Sequence, residues 1–330
     1  MSSADSESKQ PSRTDWLDRL PGFFLLIVRR QQYHRGLVLL ALLGIILSVG
    51  LVTDASFFAQ AVDRVILEQN LAEFSRETGR PPFSTNVYVF PSERIPLTLQ
   101  DSERISGQIG DELSSEVGLP LRHLGLEISS GTMLLQPVPG SDLYGQGRDL
   151  LGSVSIIYMA DVASRMELDA GIPLDDSKTS GEVLDIWMHD RLAQEMGIQI
   201  DDQLIMRPNV RVDPVIIRVA GIWHAKDPQA EFWFGDPDGQ LKGSLLVRRN
   251  DYVKFIQPMV ASGSREASWY VILDERKIIP KDSASYLAGF QRGQDRIATF
   301  LPNVRLNTPP LNPLQDFVQR SDILTIILLG

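Results

Sequence analysis

The sequence predicts an α+β extracytoplasmic domain made of two β/α halves with a small inserted α/β subdomain, flanked by transmembrane helices. Three observations lead to this prediction. Residues 36–52 (GLVLLALLGIILSVGLV) form an uncharged apolar run, two β/α runs of similar element order lie around residues 83–160 and 243–308, and a second apolar run begins at residue 323. The insert is expected at about residues 175–240.

Composition limits the class of protein. The chain has 330 residues, of which 43% are hydrophobic and 22% charged, so it has room for one membrane anchor and a large folded exterior. Its net charge of −10 disfavours nucleic acid as a partner. Because it contains no cysteine, disulfides and thiolate metal sites are excluded.

The apolar run 36–52 predicts a transmembrane helix over residues 36–53, since at about 1.5 Å per residue it covers roughly 25 Å of a ~30 Å hydrocarbon core. Three basic residues, Arg29, Arg30 and Arg35, precede the run, whereas the twenty residues after it contain one basic residue, Arg64. This asymmetry places residues 1–35, including an interfacial helix, in the cytoplasm and the main domain outside the cell (inner) membrane. A cleaved signal peptide ending near residues 59–61 (AQA) is the alternative, but its leader would be unusually long.

Apolar periodicity continues after the run and predicts a stalk helix over residues 54–74, before the core domain of residues 75–311. A strand is expected at 86–90. A helix follows, with Asp101 or Ser102 as N-cap and Gly118 after its last turn. The expected strands of the first half are then 124–128, 133–138 and 154–158.

In the insert, residues 179–182 (TSGE) match a capping box and predict a helix that ends at Gly197. The residues expected to be buried by this helix are Leu184, Trp187, Met188 and Leu192. Strands are predicted at 198–206 and 215–223. The second half should contain strand 245–247, a helix capped by Asn250, strand 269–273 and a helix over about 282–300.

The C-terminal segment 312–330 predicts a second stalk followed by the truncated start of a second transmembrane helix. Asn312 and Pro313 match the N-cap and first position of a helix, and residues 323–329 are almost wholly apolar. We therefore expect the chain to be the N-terminal fragment of a longer protein. An ordinary core helix is the alternative.

The sequence lacks the patterns of the common enzyme and nucleotide sites. No H-E-x-x-H, G-x-S-x-G or G-x-x-x-x-G-K-[ST] motif is present, and the aspartate pairs at 175–176 and 201–202 lie at predicted turns. We therefore assign no catalytic, cofactor or metal residue and expect a protein that is not an enzyme.

One group of residues suggests a recognition surface. Trp223, Phe232, Trp233 and Phe234 form an aromatic cluster in the insert. If exposed, these rings would make an interaction patch for a ligand or partner; the alternative is that they are the aromatic core of the insert.

Two passages resemble the MacB-like periplasmic core domain of MacB/FtsX-like ABC transporter permeases. Residues 192–202 (LAQEMGIQIDD), after the segment 184–187, resemble its helix–"lGlkvGD"–strand passage, and residues 215–223 (VIIRVAGIW) are similar to its "pvrVvGIw" strand. Asp201 stands where that pattern has glycine. The residues that carry the resemblance are Trp187, Gly197, Asp202, Gly221 and Trp223.

The resemblance implies a non-catalytic permease subunit in contact with membrane lipid, a P-loop ATPase on a separate chain, and a dimer of permease units without a cofactor. ATP-driven movement of the membrane helices would tilt the two stalks and move the exterior domain as a rigid body to export or release cargo. The alternative is a membrane-anchored extracytoplasmic sensor or binding module with the aromatic cluster as its pocket. An anchored hydrolase is disfavoured by the missing motifs.

Replacing residues 36–52 by charged residues should release the exterior domain as a soluble, folded protein, because the run is expected to be its anchor. Membrane fractionation followed by circular dichroism of the soluble fraction measures this. Aggregation of residues 54–312 after the replacement would contradict the prediction of an autonomous domain.

Overall fold

The structure is a computed structural model that describes residues 35–139, 150–177, 179, 181–209, 211–307 and 309–329. The chain divides into two compact units, residues 1–62 and 63–330. The predicted interfacial helix, with Arg29 and Arg30, lies outside the described residues, and Arg35 is the first residue of helix α1 (Arg35–Thr78).

In the first unit, the large apolar side chains between residues 39 and 49 are exposed, with exposed fractions of 55% to 71%. Within the part of the chain that the structure describes, no helix is both long and apolar enough to qualify as a membrane span. The transmembrane helices expected at both ends therefore stay predictions.

The second unit is a mixed α/β structure around one large sheet. Its further helices of seven or more residues are α2 (Leu99–Val117), α3 (Asp190–Met196), α4 (Ser283–Ala298) and α5 (Leu311–Leu329). Its strands are β1 (Ser84–Val89), β2 (Leu121–Pro137), β3 (Gly152–Met159), β4 (Met166–Gly171), β5 (Val183–His189), β6 (Gln203–Arg207), β7 (Val215–Ala225), β8 (Ser244–Leu246), β9 (Glu266–Leu273) and β10 (Arg305–Asn307).

The strands follow the order β10-β1-β9-β2-β3-β8-β5-β7-β4, and β6 pairs with both β2 and β7. The last two pairings close β2, β3, β8, β5, β7 and β6 into a ring. The predicted insert thus contributes β5, β6 and β7 to the main sheet. These strands do not form a separate subdomain, because each pairs within the ring that β2 and β8 also build.

Alternating residues fill the ring, as the two-residue period of strands requires. These buried side chains are Met133, Leu135, Val154, Ile156, Leu184, Ile186, Met188, Leu204, Met206, Ile217, Val219 and Leu245. In β2, the register shifts between Ser129 and Thr132, where Gly131 has a φ of 72°. This bulge changes the parity, so that Ile128 and Met133 are both buried in the same core.

Helices α2 and α4 pack together beside β2 and β9. The buried apolar residues lie at helical spacing: Ile109, Leu113 and Val117 on α2, and Phe290 and Ile297 on α4. The helix ending at Gly118 is confirmed, with a left-handed φ of 81° at that glycine. Its N-cap is Thr98, whose hydroxyl accepts from the Asp101 N–H, so the predicted caps Asp101 and Ser102 were wrong.

The capping-box prediction at 179–182 was also wrong. Residues 183–189 form strand β5, and the Asp185 N–H donates to the Thr179 hydroxyl at 3.1 Å. All but the first residue of β5 are buried, including Trp187 and Met188, since the ring covers one face and aromatic side chains cover the other. The helix begins at Asp190 and ends, as expected, at Gly197.

Three further boundaries differ from expectation. The strands predicted at 124–128 and 133–138 are one bent strand, β2, and residues 198–202 form a turn before β6. The helix expected after Asn250 is instead a succession of short α, π and 3-10 turns over residues 249–259, with Arg248 as N-cap. Strands 86–90, 154–158, 215–223, 245–247 and 269–273 are confirmed within a few residues.

Replacing Gly289 in α4 by alanine should lower the free energy of unfolding by about 1–3 kcal/mol, because the added methyl would overpack the contact with α2. Its Cβ would lie 2.5 Å from the Glu116 carbonyl oxygen and 2.6 Å from the Val117 Cα. Urea denaturation of the full chain measures the change.

Gly107 in α2 is the matched control, since an added Cβ there meets no atom within 4 Å. Gly107→Ala should raise stability by about 0.5–1 kcal/mol through helix propensity. Equal effects of the two substitutions would contradict the close approach of α2 and α4.

Candidate functional site

The predicted aromatic patch is buried. Trp223, Trp233 and Phe234 are at most 2% exposed and Phe232 is 9% exposed. Trp223 and Trp233 stack with ring centroids 5.9 Å apart, and Phe232 meets Trp233 edge-on at 5.0 Å. The structure therefore corrects the interaction patch to an aromatic core. Trp223, Phe232 and Trp233 pack on one another and on the outer face of β5 and β7, while Phe234 packs on Tyr270 of β9.

This core holds the loop of residues 226–243 against the sheet. The Trp233 indole donates to the Asp227 carbonyl at 3.0 Å, and Phe234, with a left-handed φ of 56°, stacks on Tyr270 of β9 at 4.8 Å. The Arg80 guanidinium lies 5.1 Å from the centre of the Phe234 ring. Since Arg80 follows the end of α1 by two residues, the loop joins that end to β9.

The family-like residues have structural contacts. Trp187 donates from its indole to the Ile172 carbonyl at 2.7 Å. Gly221 lies against the same indole, where a Cβ would be only 2.2 Å from a ring carbon. Gly197 ends α3 with a left-handed φ of 69°. Trp187, Gly221 and Trp223 therefore pack at one position on the outer face of β5 and β7.

Asp201 adopts a backbone conformation that glycine prefers. Its φ is 68°, in the left-handed region that glycine prefers and that aspartate tolerates better than most residues. The Asp201 N–H donates to the Val219 carbonyl at 2.9 Å, and the Asp202 carboxylate accepts from the Gln199 N–H at 2.8 Å. This turn sets the register in which β6 meets β7.

Two helices at opposite ends of the chain enter one core. Leu67 and Leu71 of α1 are buried, as are Leu314 and Phe317 of α5, and all four belong to the same hydrophobic cluster. These segments were predicted as stalks, but their docking into the core was not predicted. Their spacings of four and three residues were the signal, since such spacings place the side chains on one helix face.

Ion pairs connect the sheet to the loops beside it. Arg122 of β2 contacts Glu231 at 2.7 Å and Glu275 at 2.6 Å, and so joins the aromatic loop to the segment after β9. In the ring, buried Asp185 contacts Arg218 at 2.6 Å and accepts from the Ser177 hydroxyl at 2.9 Å. The buried carboxylate is thereby paired and hydrogen-bonded.

The titratable groups with shifted pKa values have structural neighbours. Burial raises the pKa of the Glu127 carboxyl, which accepts from the Tyr270 hydroxyl at 2.7 Å, and burial also raises the pKa of Tyr270. The hydrogen bond to Asp169 raises the pKa of His224. Among the described residues, no group of three His, Asp or Glu side chains is arranged to hold a metal ion.

A cleft of about 950 Å³ opens beside β4. It is bordered by the end of β3, the turn after it, the segment 173–175 and residues 248–250. This cleft was not predicted from the sequence, because its walls come from segments that are far apart in the chain and show no common pattern.

No protein-family model matches the chain, and no curated protein matches it. The chain is similar to the crystal structure of a domain of a proposed permease from Porphyromonas gingivalis, at 13% sequence identity and a TM-score of 0.33. The similarity covers 69% of this chain and 89% of that one. The MacB/FtsX resemblance therefore stays a prediction.

Asp201→Gly and Asp201→Asn should leave the free energy of unfolding close to that of the natural protein, because both residues tolerate a positive φ. Asp201→Val should lower it by about 1–2 kcal/mol, the cost of forcing a residue with a branched Cβ into the left-handed region. Urea denaturation compares the three variants. A stable valine variant would show that the turn does not need this conformation.

Proposed function

We propose that this chain is the permease subunit of an ABC transporter of the MacB/FtsX type. Residues 75–311 would transmit ATP-driven motion of the membrane helices to export or release cargo. ATP would be hydrolysed by a separate P-loop ATPase chain, and two permease units would form a dimer in the cell (inner) membrane. The N-terminus would be cytoplasmic and the main domain extracytoplasmic.

The observation that carries the proposal is the docking of α1 and α5 into one core. Leu67 and Leu71 are 1% and 4% exposed, and Leu314 and Phe317 are 0% and 3% exposed. Burying a side chain of this size contributes about 1.5–3 kcal/mol. Pulling either helix out of the core would therefore cost several such contributions, so a moving helix would carry the domain with it.

The exposure of apolar side chains in the first unit supports the proposal of a membrane anchor. Its apolar side chains between residues 39 and 49 are more than half exposed, whereas large exposed apolar surfaces are rare on proteins surrounded by water. In the proposed anchor, lipid would cover these apolar side chains. Arg29, Arg30 and Arg35 would then remain on the cytoplasmic side.

The alternative, a membrane-anchored sensor or binding module, loses its expected pocket because the aromatic cluster is packed in the core. The cleft beside β4 would be its remaining candidate ligand site. Binding at that cleft is compatible with either function, so the two proposals differ in whether nucleotide moves the domain.

Spin labels test this difference, because this chain contains no cysteine and each introduced cysteine places one label on it at a chosen residue. Asp111→Cys, exposed on α2, reports distances between two permease units. A second variant carries both Asp111→Cys and Gln69→Cys, the latter exposed on α1. When this doubly labelled chain is diluted with unlabelled chain, it reports the distance within one permease subunit. The protein is purified from its native membrane together with the ATPase that accompanies it.

We expect ATP and vanadate to change the distance between the two permease subunits while the distance within one subunit stays constant, since the docked end of α1 would move with the core it is buried in. No accompanying P-loop ATPase, or equal distances with and without nucleotide, would contradict the proposed function. A changed distance within one unit would contradict rigid docking of α1.

A further inference from the structure

The cleft beside β4 has an apolar floor. Its floor residues are Tyr158, Val162, Met166, Leu168 and Leu174. Val162 is buried and the other four are half-buried, so part of each side chain remains available to an occupant. All except Tyr158 also belong to or pack against the aromatic core, which supports the floor.

Strand β4 lies at one edge of the sheet. It pairs with β7 from Met166 to Gly171, and within the described residues no strand pairs with its other side. An unpaired edge presents alternating N–H and C=O groups that can bind an extended chain as an added strand. Met166, Glu167 and Leu168 of this strand line the cleft, so the edge and the cleft form one surface.

The charges at the cleft are unequal once the ion pairs are considered. Among its lining cations, Arg248 contacts Asp251 at 2.8 Å and Arg249 contacts Glu103, which leaves Lys226. The lining carboxylates Asp161, Glu167 and Asp175 are all exposed.

Of these three carboxylates, Glu167 is 3.9 Å from the His224 imidazole, which hydrogen-bonds to Asp169. No ion pair engages either of the other two in the described part of the chain. The surface of the cleft is therefore acidic, and its charge is complementary to a cationic occupant.

We propose that this cleft binds an extended peptide of alternating apolar and Lys or Arg residues, which adds as a strand to the free edge of β4. Its apolar side chains would lie on the floor, and its cationic side chains would contact Asp161, Glu167 and Asp175. The six residues of β4 span about 20 Å at ~3.4 Å per residue, which matches a peptide segment of about six residues. The proposal concerns binding alone and does not depend on ATP-driven motion.

The edge favours a peptide over a small cationic amphiphile. Both would use the apolar floor and the carboxylates, but only a peptide backbone satisfies the free N–H and C=O groups of β4. A peptide whose backbone nitrogens are methylated distinguishes the two, because it keeps the side chains and loses the donors.

The full chain in nanodiscs of phosphatidylcholine, with empty nanodiscs as background, is titrated with a dye-labelled peptide KVKLKVKL. Fluorescence anisotropy measures the affinity. We expect the acidic peptide EVELEVEL and the N-methylated cationic peptide to bind at least about tenfold more weakly. Hydrogen exchange should show protection of residues 166–171 on addition of the cationic peptide.

A variant combining Asp161→Asn, Glu167→Gln and Asp175→Asn should weaken binding about tenfold, because exposed ion pairs are individually weak and act here together. The matched control combines Asp111→Asn, Glu112→Gln and Asp295→Asn, which remove the same charge from α2 and α4. Its affinity should be that of the natural protein. Circular dichroism checks that both variants are folded.

Equal binding of the cationic and acidic peptides, or equal weakening in both variants, would overturn the proposal. Equal binding of the N-methylated peptide would show that the cleft takes a cationic amphiphile without strand pairing, and so would overturn the peptide assignment. Protection confined to residues outside 166–171 would place the peptide elsewhere.

Discussion

The closure of six strands by β6 is the constraint on which the rest of the second unit depends. Strand β6 pairs with β2 through residues 204–207 and with β7 through residues 203–206. Because both of its edges are satisfied, the ring has no free strand at this point and its apolar interior is enclosed. The bulge at Gly131 and the left-handed turn at Asp201 allow β2 and β6 to meet these partners in register.

The outer face of the ring then decides how the loops and helices are held. Trp187 and Trp223 project from β5 and β7, and the loop 226–243 packs on them. Arg80 contacts Phe234 of that loop, and Arg122 joins it to the segment after β9. The end of α1, the loop and the sheet are thus connected through buried rings and charged contacts.

The edge at β4 contrasts with the closed ring. Most of the sheet is paired, covered by helices or packed under the aromatic loop, while β4 keeps one side without a strand partner in the described part. Free edges are commonly protected by short length and charge, and β4 has both, with Glu167 and Asp169 exposed along six residues. Of these two carboxylates, Glu167 also lines the adjacent cleft.

The sequence by itself determined α2, α4, β7 and the helix end at Gly197, because periodic apolar residues, caps and glycines act locally on the backbone. Only the tertiary structure decided that residues 183–189 form a strand. Pairing with β7 and β8 buries both faces of this segment, and that burial outweighs the local helix signal of the capping box. It also decided that the aromatic residues are core and that a cleft forms at β4. Those outcomes depend on which distant segments pack over a side chain. The residue pattern within one segment does not indicate which other segments will pack on it.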